Sequence, residues 1–206
     1  MWSRPDPDRL EPGRTALLVF DMLETYRADI ERSGVLETAV GLVEACRARG
    51  VIVLFARADH RPDGADFTRV LADTDRFFRP WSAEHPQPTR PGDVDPGGYR
   101  SLAEFAQGPG DFDIPKHRWS AFHGTALDVT LRAQGIETLL VIGGSTHVGV
   151  ASTVYAARDL DYQVVVVRDA CTGHEEPRAF FLDTVFPRMV RVRTAAEVLA
   201  LLDRSG

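Results

Sequence analysis

The stretch LVIGGSTHVGVAST, residues 140–153, constrains the fold of this chain more than any other part of its sequence. An apolar run over residues 138–142 ends at the pair Gly143-Gly144, and an amphipathic segment begins near His147. A strand that passes through a tight turn into a helix is the building unit of open α/β sheets, and backbone N–H groups point outward at such a helix start. We therefore expect a binding site at the end of this strand.

Apolar runs alternate with segments of helical periodicity along the rest of the chain. Strands are predicted at residues 15–20, 51–55, 112–115, 138–142, 163–168 and 189–192, and helices at residues 34–49, 124–134, 147–160, 175–186 and 194–203. In the last helix, Thr194 and Glu197 form the pattern of a capping box. The alternation predicts a single α/β domain over residues 1–206, with a mostly parallel six-stranded sheet and helices on both faces.

Two segments are predicted to lie outside these regular elements. Residues 1–13 are polar and rich in proline, and they are predicted to form an irregular N-terminal arm. Residues 58–110 are rich in Pro, Gly and Asp, and they are predicted to form long loops with one short helix near residues 66–73. Loops of this length in a compact domain usually form lids or subunit contacts, and we expect one of these roles here.

Composition narrows the classes of partner. The chain has 206 residues and a net charge of −6, which argues against nucleic acid and anionic membrane surfaces as main partners. No apolar run is long enough to span a bilayer, and the N-terminus does not resemble a signal peptide. Cys46 and Cys171 lack the spacing of a zinc site or a disulfide framework. We expect a cytoplasmic protein that acts on a small molecule without a cofactor.

Two charged residues are notable for where they occur. Asp21 ends an apolar strand, where a carboxylate is costly unless it is paired or used. Lys116 is the only lysine in the chain, and arginine cannot replace a compact amine in a site. Both residues follow predicted parallel strands, so they are expected at the same edge of the sheet as the turn after residue 142. The alternatives are a turn-capping role for Asp21 and chance survival of the lysine.

Four motifs resemble those of the isochorismatase-like hydrolase superfamily, which holds isochorismatases, nicotinamidases and N-carbamoylsarcosine amidases. In chain order they are ALLVFDM (16–22), KHRWSAFHGTALD (116–128), LLVIGGSTHVGVASTVYAARDLDY (139–162) and VVVVRDAC (164–171). The resemblance implies a doubly wound sheet with strand order 3-2-1-4-5-6 and a cis peptide at Gly144–Ser145. It also implies a homo-oligomer, because members of the superfamily are commonly dimers or tetramers.

The resemblance also implies roles for individual residues. Amidase members use an Asp–Lys–Cys triad, whose nucleophile falls at position 149, and this chain has Gly149 there. Isochorismatases also carry glycine at that position, in a turn of the type A-H-V-G, and residues 146–149 are similar to it. Those enzymes hydrolyse a vinyl ether without a covalent intermediate. The resemblance therefore implies hydrolysis of isochorismate or a related vinyl ether, with Asp21 as general acid and Lys116 as its electrostatic partner and substrate anchor.

Other functions stay open at this point. By spacing, neither cysteine replaces the missing nucleophile, and Ser152 lies nearly one helical turn beyond position 149. An amide hydrolase that uses activated water is one alternative. A non-catalytic, ligand-binding member of the superfamily is another, although the presence of both Asp21 and Lys116 argues against it.

Five residues are predicted to contact the substrate: Gly144, Ser145, His147, Trp119 and Phe122. The imidazole of His147 is a candidate hydrogen-bond donor to the substrate, with packing at the helix start as the alternative. Leu23 and Ala58 stand where isochorismatases carry glutamines, so another enol ether is also an expected substrate. Arg57, Arg118 and Trp119 suggest that this substrate is anionic or planar.

Metal binding is a separate question. Nicotinamidases bind a divalent ion through one aspartate and two histidines in the loop after the second strand. In this chain that loop contains Asp59, His60, Asp63 and Asp66, with no second histidine nearby. We therefore predict a solvated loop and no metal site.

Overall fold

The computed structural model describes residues 9–61, 65–66 and 98–204. Its centre is a six-stranded sheet with the order β3-β2-β1-β4-β5-β6. The strands are β1 Thr15–Phe20, β2 Ile52–Ala58, β3 Phe112–Lys116, β4 Thr138–Gly143, β5 Gln163–Cys171 and β6 Arg191–Arg193. All pairings within this sheet are parallel, so the predicted strand order and fold class are confirmed.

Helices flank the sheet in the part of the chain that the structure describes. The α-helices in the described ranges are α1 Arg27–Ser33, α2 Leu36–Ala48, α3 Leu127–Ala133, α4 Ala151–Asp159, α5 Glu175–Phe180 and α6 Ala195–Asp203. A π-helical turn, Thr146–Val150, leads into α4. Within the described ranges, no helix has the length and apolar character needed to cross a bilayer.

The core forms two apolar clusters, one on each face of the sheet. Every residue of β1 is buried, and successive residues of this strand face opposite clusters. Leu17 and Val19 pack with residues of α2 and α6, whereas Leu18 and Phe20 pack with residues of α3 and α4. Strands buried on both faces read as continuous apolar runs, which is why β1 and β4 were recognisable in the sequence.

Several predicted boundaries are wrong for local reasons. Gly34 has a φ of 71° and ends α1, so the helix predicted over residues 34–49 begins only at Leu36. The strand predicted over residues 163–168 extends to Cys171. The exposed residues Arg168 and Asp169 interrupt the apolar run in the sequence, but the strand continues through the buried residues Ala170 and Cys171. The sixth strand, predicted at residues 189–192, lies at Arg191–Arg193.

Other predictions fall mostly outside the described residues. The helix near residues 66–73 and most of the loops over residues 58–110 lie there, as do residues 1–8 of the N-terminal arm. The described end of that arm is partly regular, because Pro12–Arg14 forms a 3₁₀ turn. Leu10 is buried, and its N–H donates to the carbonyl of Leu201 in α6 at 3.1 Å. The arm is therefore fixed to the core from Leu10 onward.

The capping box at the start of α6 is confirmed and provides a test of local stability. The Thr194 hydroxyl accepts from the Glu197 N–H at 3.2 Å, and a Glu197 carboxylate oxygen accepts from the Thr194 N–H at 2.7 Å. Thr194→Ala removes the first bond and should lower the free energy of unfolding by about 1 kcal/mol. Chemical denaturation measures this change. Thr194→Ser is the matched control, and an equal loss in the serine variant would contradict the capping role of the hydroxyl.

Candidate active site

The carboxyl ends of the central strands bring the predicted charged residues together. Phe20, the last residue of β1, pairs with Ala56 of β2, and Ala58 at the end of β2 pairs with Lys116 of β3. Asp21 follows β1 directly, so this register places it level with the end of β3. The Lys116 ammonium donates to Asp21 Oδ2 at 2.7 Å across 95 positions of sequence. The two residues therefore lie at the same edge of the sheet, as expected.

The carboxylate of Asp21 is held in a fixed position. Its backbone has a φ of 47°, in the left-handed region, which costs a non-glycine residue about 1–3 kcal/mol. Its N–H donates to the Ala56 carbonyl at 2.8 Å, and its Oδ1 accepts from the Ala58 N–H at 2.8 Å. Strain of this kind persists only where surrounding contacts impose it, and it is concentrated at functional sites.

Lys116 is buried beside this carboxylate. The residue is only 4% exposed, and its Nζ lies 4.4 Å from the centroid of the Phe20 ring. That distance is within the range of a cation–π interaction. Removal of one charge from a buried pair leaves the other uncompensated, at a cost of about 3–5 kcal/mol. Asp21 and Lys116 therefore form one electrostatic unit.

The turn after β4 depends on the close approach of β1. Gly143 has a φ of 109°, and a Cβ at this position would lie 2.0 Å from the Phe20 carbonyl oxygen. Only glycine fits there. The next N–H, of Gly144, donates to the same carbonyl at 3.0 Å. The peptide bond Gly144–Ser145 is cis, as the resemblance implied.

Two histidines lie beside this turn. The Nδ1 atom of His147 is 3.2 Å from Ser145 Oγ, and the ring centroids of His147 and His174 are 6.3 Å apart. Burial lowers the pKa of His147, and the charge of His174 lowers it further. A neutral imidazole offers one donor and one acceptor, which suits the predicted contact with a substrate. His174 was not predicted as a site residue, although it follows the end of β5 and thus belongs to the same sheet edge.

The residues around Gly149 are turned toward the helix backbone. Gly149 is buried within the π-helical turn. The Ser152 hydroxyl lies 3.5 Å from the Gly149 carbonyl, and the Thr153 hydroxyl donates to that carbonyl at 2.8 Å. This geometry favours a structural role for Ser152 over that of a shifted nucleophile.

The two aromatic residues predicted to contact the substrate have different surroundings. The side chain of Trp119 is exposed, so its ring is accessible on the loop after β3. Phe122 instead packs against the second apolar cluster, and its ring stacks on Tyr162 with the centroids 5.8 Å apart. Its ring is thus committed to packing between α3 and β5. This contact favours a structural role for Phe122 over the predicted contact with the substrate.

The arginines considered for recognition of an anionic substrate already have acceptors. Arg57 donates two hydrogen bonds to the Asp113 carboxylate, both at 2.8 Å. Arg118 donates to the backbone carbonyls of Asp66 and His117 at 2.8 and 2.6 Å. These contacts order the loops around the edge, so the two arginines give little support to the prediction of an anionic substrate.

A possible metal-binding cluster adjoins the Asp21–Lys116 pair. The Asp66 carboxylate lies 3.5 Å from His60 Nδ1 and 3.2 Å from His117 Nδ1, and ligand atoms of all three residues lie within 4.8 Å of one another. Two imidazoles and a carboxylate form a set that a divalent ion such as Zn²⁺ accepts. The loop after β2 contains no second histidine, and the second imidazole of this cluster comes from His117, directly after β3, which was not predicted. The absence of a metal stays a prediction from the sequence.

Comparison with known proteins identifies relatives of the whole described fold. A family model described as Isochorismatase domain matches residues 15–197. The chain is 31% identical over 188 residues to YwoC, an isochorismatase family protein of Bacillus subtilis (strain 168), with 90% of the chain and 93% of that protein covered. It is 30% identical over 182 residues to the ureidoacrylate amidohydrolase RutB of Pseudomonas syringae pv. syringae (strain B728a), with 82% of the chain and 74% of that protein covered.

Solved structures of related proteins share the fold of this chain. An isochorismatase family protein from Burkholderia thailandensis superimposes with a TM-score of 0.80 and 32% identity, over 95% of this chain and 98% of that one. The N-carbamoylsarcosine amidase from Thermoplasma acidophilum superimposes with a TM-score of 0.67 over 88% of this chain and 96% of that one. Its identity is 24%, so it bears on the fold alone.

The pKa of His147 tests the described environment of the turn. We expect the imidazole to titrate below its ordinary value near 6.5, because burial and the charge of His174 both disfavour the protonated ring. His174→Gln removes the charge and should raise the pKa of His147 toward the ordinary value. An NMR titration of the ring resonances measures both. An unchanged pKa in the variant would contradict the coupling between the two rings.

Proposed function

This chain belongs to the isochorismatase family of hydrolases, and we propose that it hydrolyses its substrate without a covalent intermediate. In this proposal Asp21 and Lys116 transfer protons, while water attacks the substrate directly. The first candidate substrate is a vinyl ether such as isochorismate or a related enol-pyruvyl ether. Family membership does not by itself fix this reaction, because the relative RutB is an amidohydrolase.

The observation that supports this proposal most strongly is the lack of a reactive thiol. The chain has two cysteines, and both are buried, Cys46 in α2 and Cys171 at the end of β5. Burial raises the pKa of each thiol to about 12, so both are protonated near neutral pH. Gly149, at the place where the resemblance puts a nucleophile, has no side chain. Proton transfer by the buried pair is the chemistry that this edge supports.

Vinyl-ether hydrolysis makes use of such a pair. Asp21, protonated at the expense of the Lys116 ammonium, delivers a proton to the terminal methylene carbon of the enol-pyruvyl group. The electron pair of the C=C bond forms the new C–H bond, and an oxocarbenium ion results. Water then adds to the cationic carbon and loses a proton to the Asp21 carboxylate. As the resulting hemiketal breaks its C–O bond to the ring, its hydroxyl proton passes to the departing oxygen, which releases pyruvate and the alcohol.

The surrounding residues hold the reactants in this scheme. The hydrogen bond from Ala58 to Asp21 Oδ1 leaves Oδ2 as the atom shared with Lys116. While the substrate binds, and before the proton passes to Asp21, the Lys116 ammonium also attracts the carboxylate of the enol-pyruvyl group. In the turn after β4, a neutral His147 beside Ser145 supplies a hydrogen-bond donor.

Amide hydrolysis by activated water is the second candidate. Two observations favour it. The relative RutB is an amidohydrolase, and both carboxylate oxygens of Asp21 accept hydrogen bonds. A carboxylate held in this form accepts a proton from water as the water attacks the amide carbon. The same proton then passes to the leaving nitrogen when the C–N bond breaks.

Product analysis with an Asp21 variant tests the proposal. The purified protein is mixed with isochorismate and, separately, with ureidoacrylate and simple amides, and release of pyruvate or ammonia is followed. We expect pyruvate, and Asp21→Asn should lower its rate of release by about 10²-fold or more, because the amide keeps the shape but cannot donate the proton. Lys116→Arg should also lower the rate of pyruvate release, because the guanidinium keeps the charge but not the geometry of the amine.

Two control variants sharpen the result. Asp159→Asn makes the same change at an exposed position at the end of α4 and should retain full activity. Ser145→Ala removes a predicted substrate contact and should therefore raise KM more than it lowers kcat, whereas a loss of kcat equal to that of Asp21→Asn would indicate a hydroxyl nucleophile and contradict direct attack by water. Ammonia without pyruvate would select the second candidate. Pyruvate release that survives Asp21→Asn would contradict the role of general acid.

A further inference from the structure

The aromatic ring of Phe20 occupies the space next to Gly149. Phe20 is the last residue of β1 and is 0% exposed. A Cβ built on Gly149 would lie 2.3 Å from Cε1 and 2.5 Å from Cζ of this ring. Both distances are well inside the optimal separation of about 3.5–4.0 Å between carbon atoms. No side chain fits at position 149 while the ring stays in place.

The ring is held by contacts on several sides. It packs in the apolar cluster formed with α3 and α4, and the Lys116 ammonium lies 4.4 Å from its centroid. The backbone of Phe20 is fixed as well, because its carbonyl accepts from the Gly144 N–H at 3.0 Å and approaches Gly143 closely. A buried aromatic ring in a close-packed core cannot rotate out of the way without opening a cavity elsewhere.

We propose that Phe20 and Gly149 act as one unit that excludes a thiol nucleophile from the sheet edge and keeps the site in its nucleophile-free form. Phe20 acts through two neighbours, so it is a positioning residue. Its ring edge closes the volume beside Gly149, and its ring face supports the ammonium of Lys116 next to Asp21. The inference rests on the proposed function only in taking position 149 as the place of a nucleophile.

This arrangement predicts that the two positions cannot change independently. Gly149→Cys alone forces the new side chain into the ring. Phe20→Val alone removes the ring atoms nearest to Gly149 and leaves a cavity under Lys116. When the two changes are combined, the thiol enters the space that the ring has left, so the double variant should be more stable than the sum of the single effects predicts.

A thermal-unfolding cycle tests the steric part of the proposal. We expect Gly149→Cys to lower the Tm by about 5 °C or more, and Phe20→Val in the same chain to restore a large part of that loss. Gly41→Cys is the matched control for the glycine, because a Cβ at this exposed position in α2 meets open space. Phe55→Val is the control for the phenylalanine, because Phe55 is equally buried but lies on the opposite face of the sheet. It should not rescue Gly149→Cys.

Thiol accessibility tests the functional part and separates it from simple packing. Native protein is treated with iodoacetamide, whose iodide is displaced by a thiolate, and the labelled cysteines are located by mass spectrometry. The buried Cys46 and Cys171 should stay unlabelled in the folded protein, and Gly41→Cys should label rapidly. The double variant at positions 20 and 149 should label at position 149 at least about 10-fold faster than Gly149→Cys alone, because the space that the ring leaves adjoins the Lys116 ammonium, which favours the reactive thiolate.

Each result bears directly on the proposal. A single Gly149→Cys variant that keeps the wild-type Tm and labels as fast as the double variant would overturn it. A double variant that is no more stable than additivity predicts would also overturn it. If Gly149→Cys alone does not fold, the double variant decides: a folded, labelled protein supports the proposal and an unfolded one overturns it. Neither assay uses a substrate, so a failure here is distinct from a failure to release pyruvate.

Discussion

The buried ion pair between Asp21 and Lys116 is the interaction on which the candidate site depends. Two charges are stable in a buried position only when they lie close together and their other hydrogen-bonding groups are satisfied. The distances of 2.7 Å to Lys116 Nζ and 2.8 Å to the Ala58 N–H meet both conditions. They are met because parallel pairing brings the ends of β1, β2 and β3 level. The register of the sheet therefore brings the two charged side chains within reach of each other.

The same strand end explains why the turn after β4 contains glycine where it does. The Phe20 carbonyl excludes a side chain at Gly143, and the Phe20 ring excludes one at Gly149. In the sequence, a turn with several glycines suggests backbone freedom or a phosphate-binding loop. In the structure, these two glycines result from crowding by a single neighbour. Gly143 and Gly149 in the pattern GGSTHVG thus reflect how closely β1 approaches this turn and the start of α4, whereas a Cβ on Gly144 would meet Thr172.

Much of the fold could be predicted from local patterns, whereas parts of the site could not. Continuous apolar runs revealed the central strands because both faces of the sheet are covered, and their order came from the family resemblance. Helix α1 was missed because Ile30 is its only buried residue, which leaves no periodic apolar signal. His117 and His174 were missed because their neighbours come from distant parts of the chain. The stacking of Phe122 on Tyr162, forty positions away, has no signal in the local sequence, and the contact of Phe122 with the substrate stays a prediction.

Family membership leaves the reaction open, because relatives of this fold include a named amidohydrolase. By the family resemblance alone, position 149 carries either glycine or cysteine, with no constraint from its neighbours. The close approach of the Phe20 ring to Gly149 opposes a side chain there, so in our proposal a thiol needs a smaller residue at the end of β1. A smaller residue would in turn remove the ring from beneath the Lys116 ammonium. In this proposal, room for a nucleophile and support for the charge pair compete for the same volume, so the packing of one buried ring links the choice of nucleophile to the transfer of the proton.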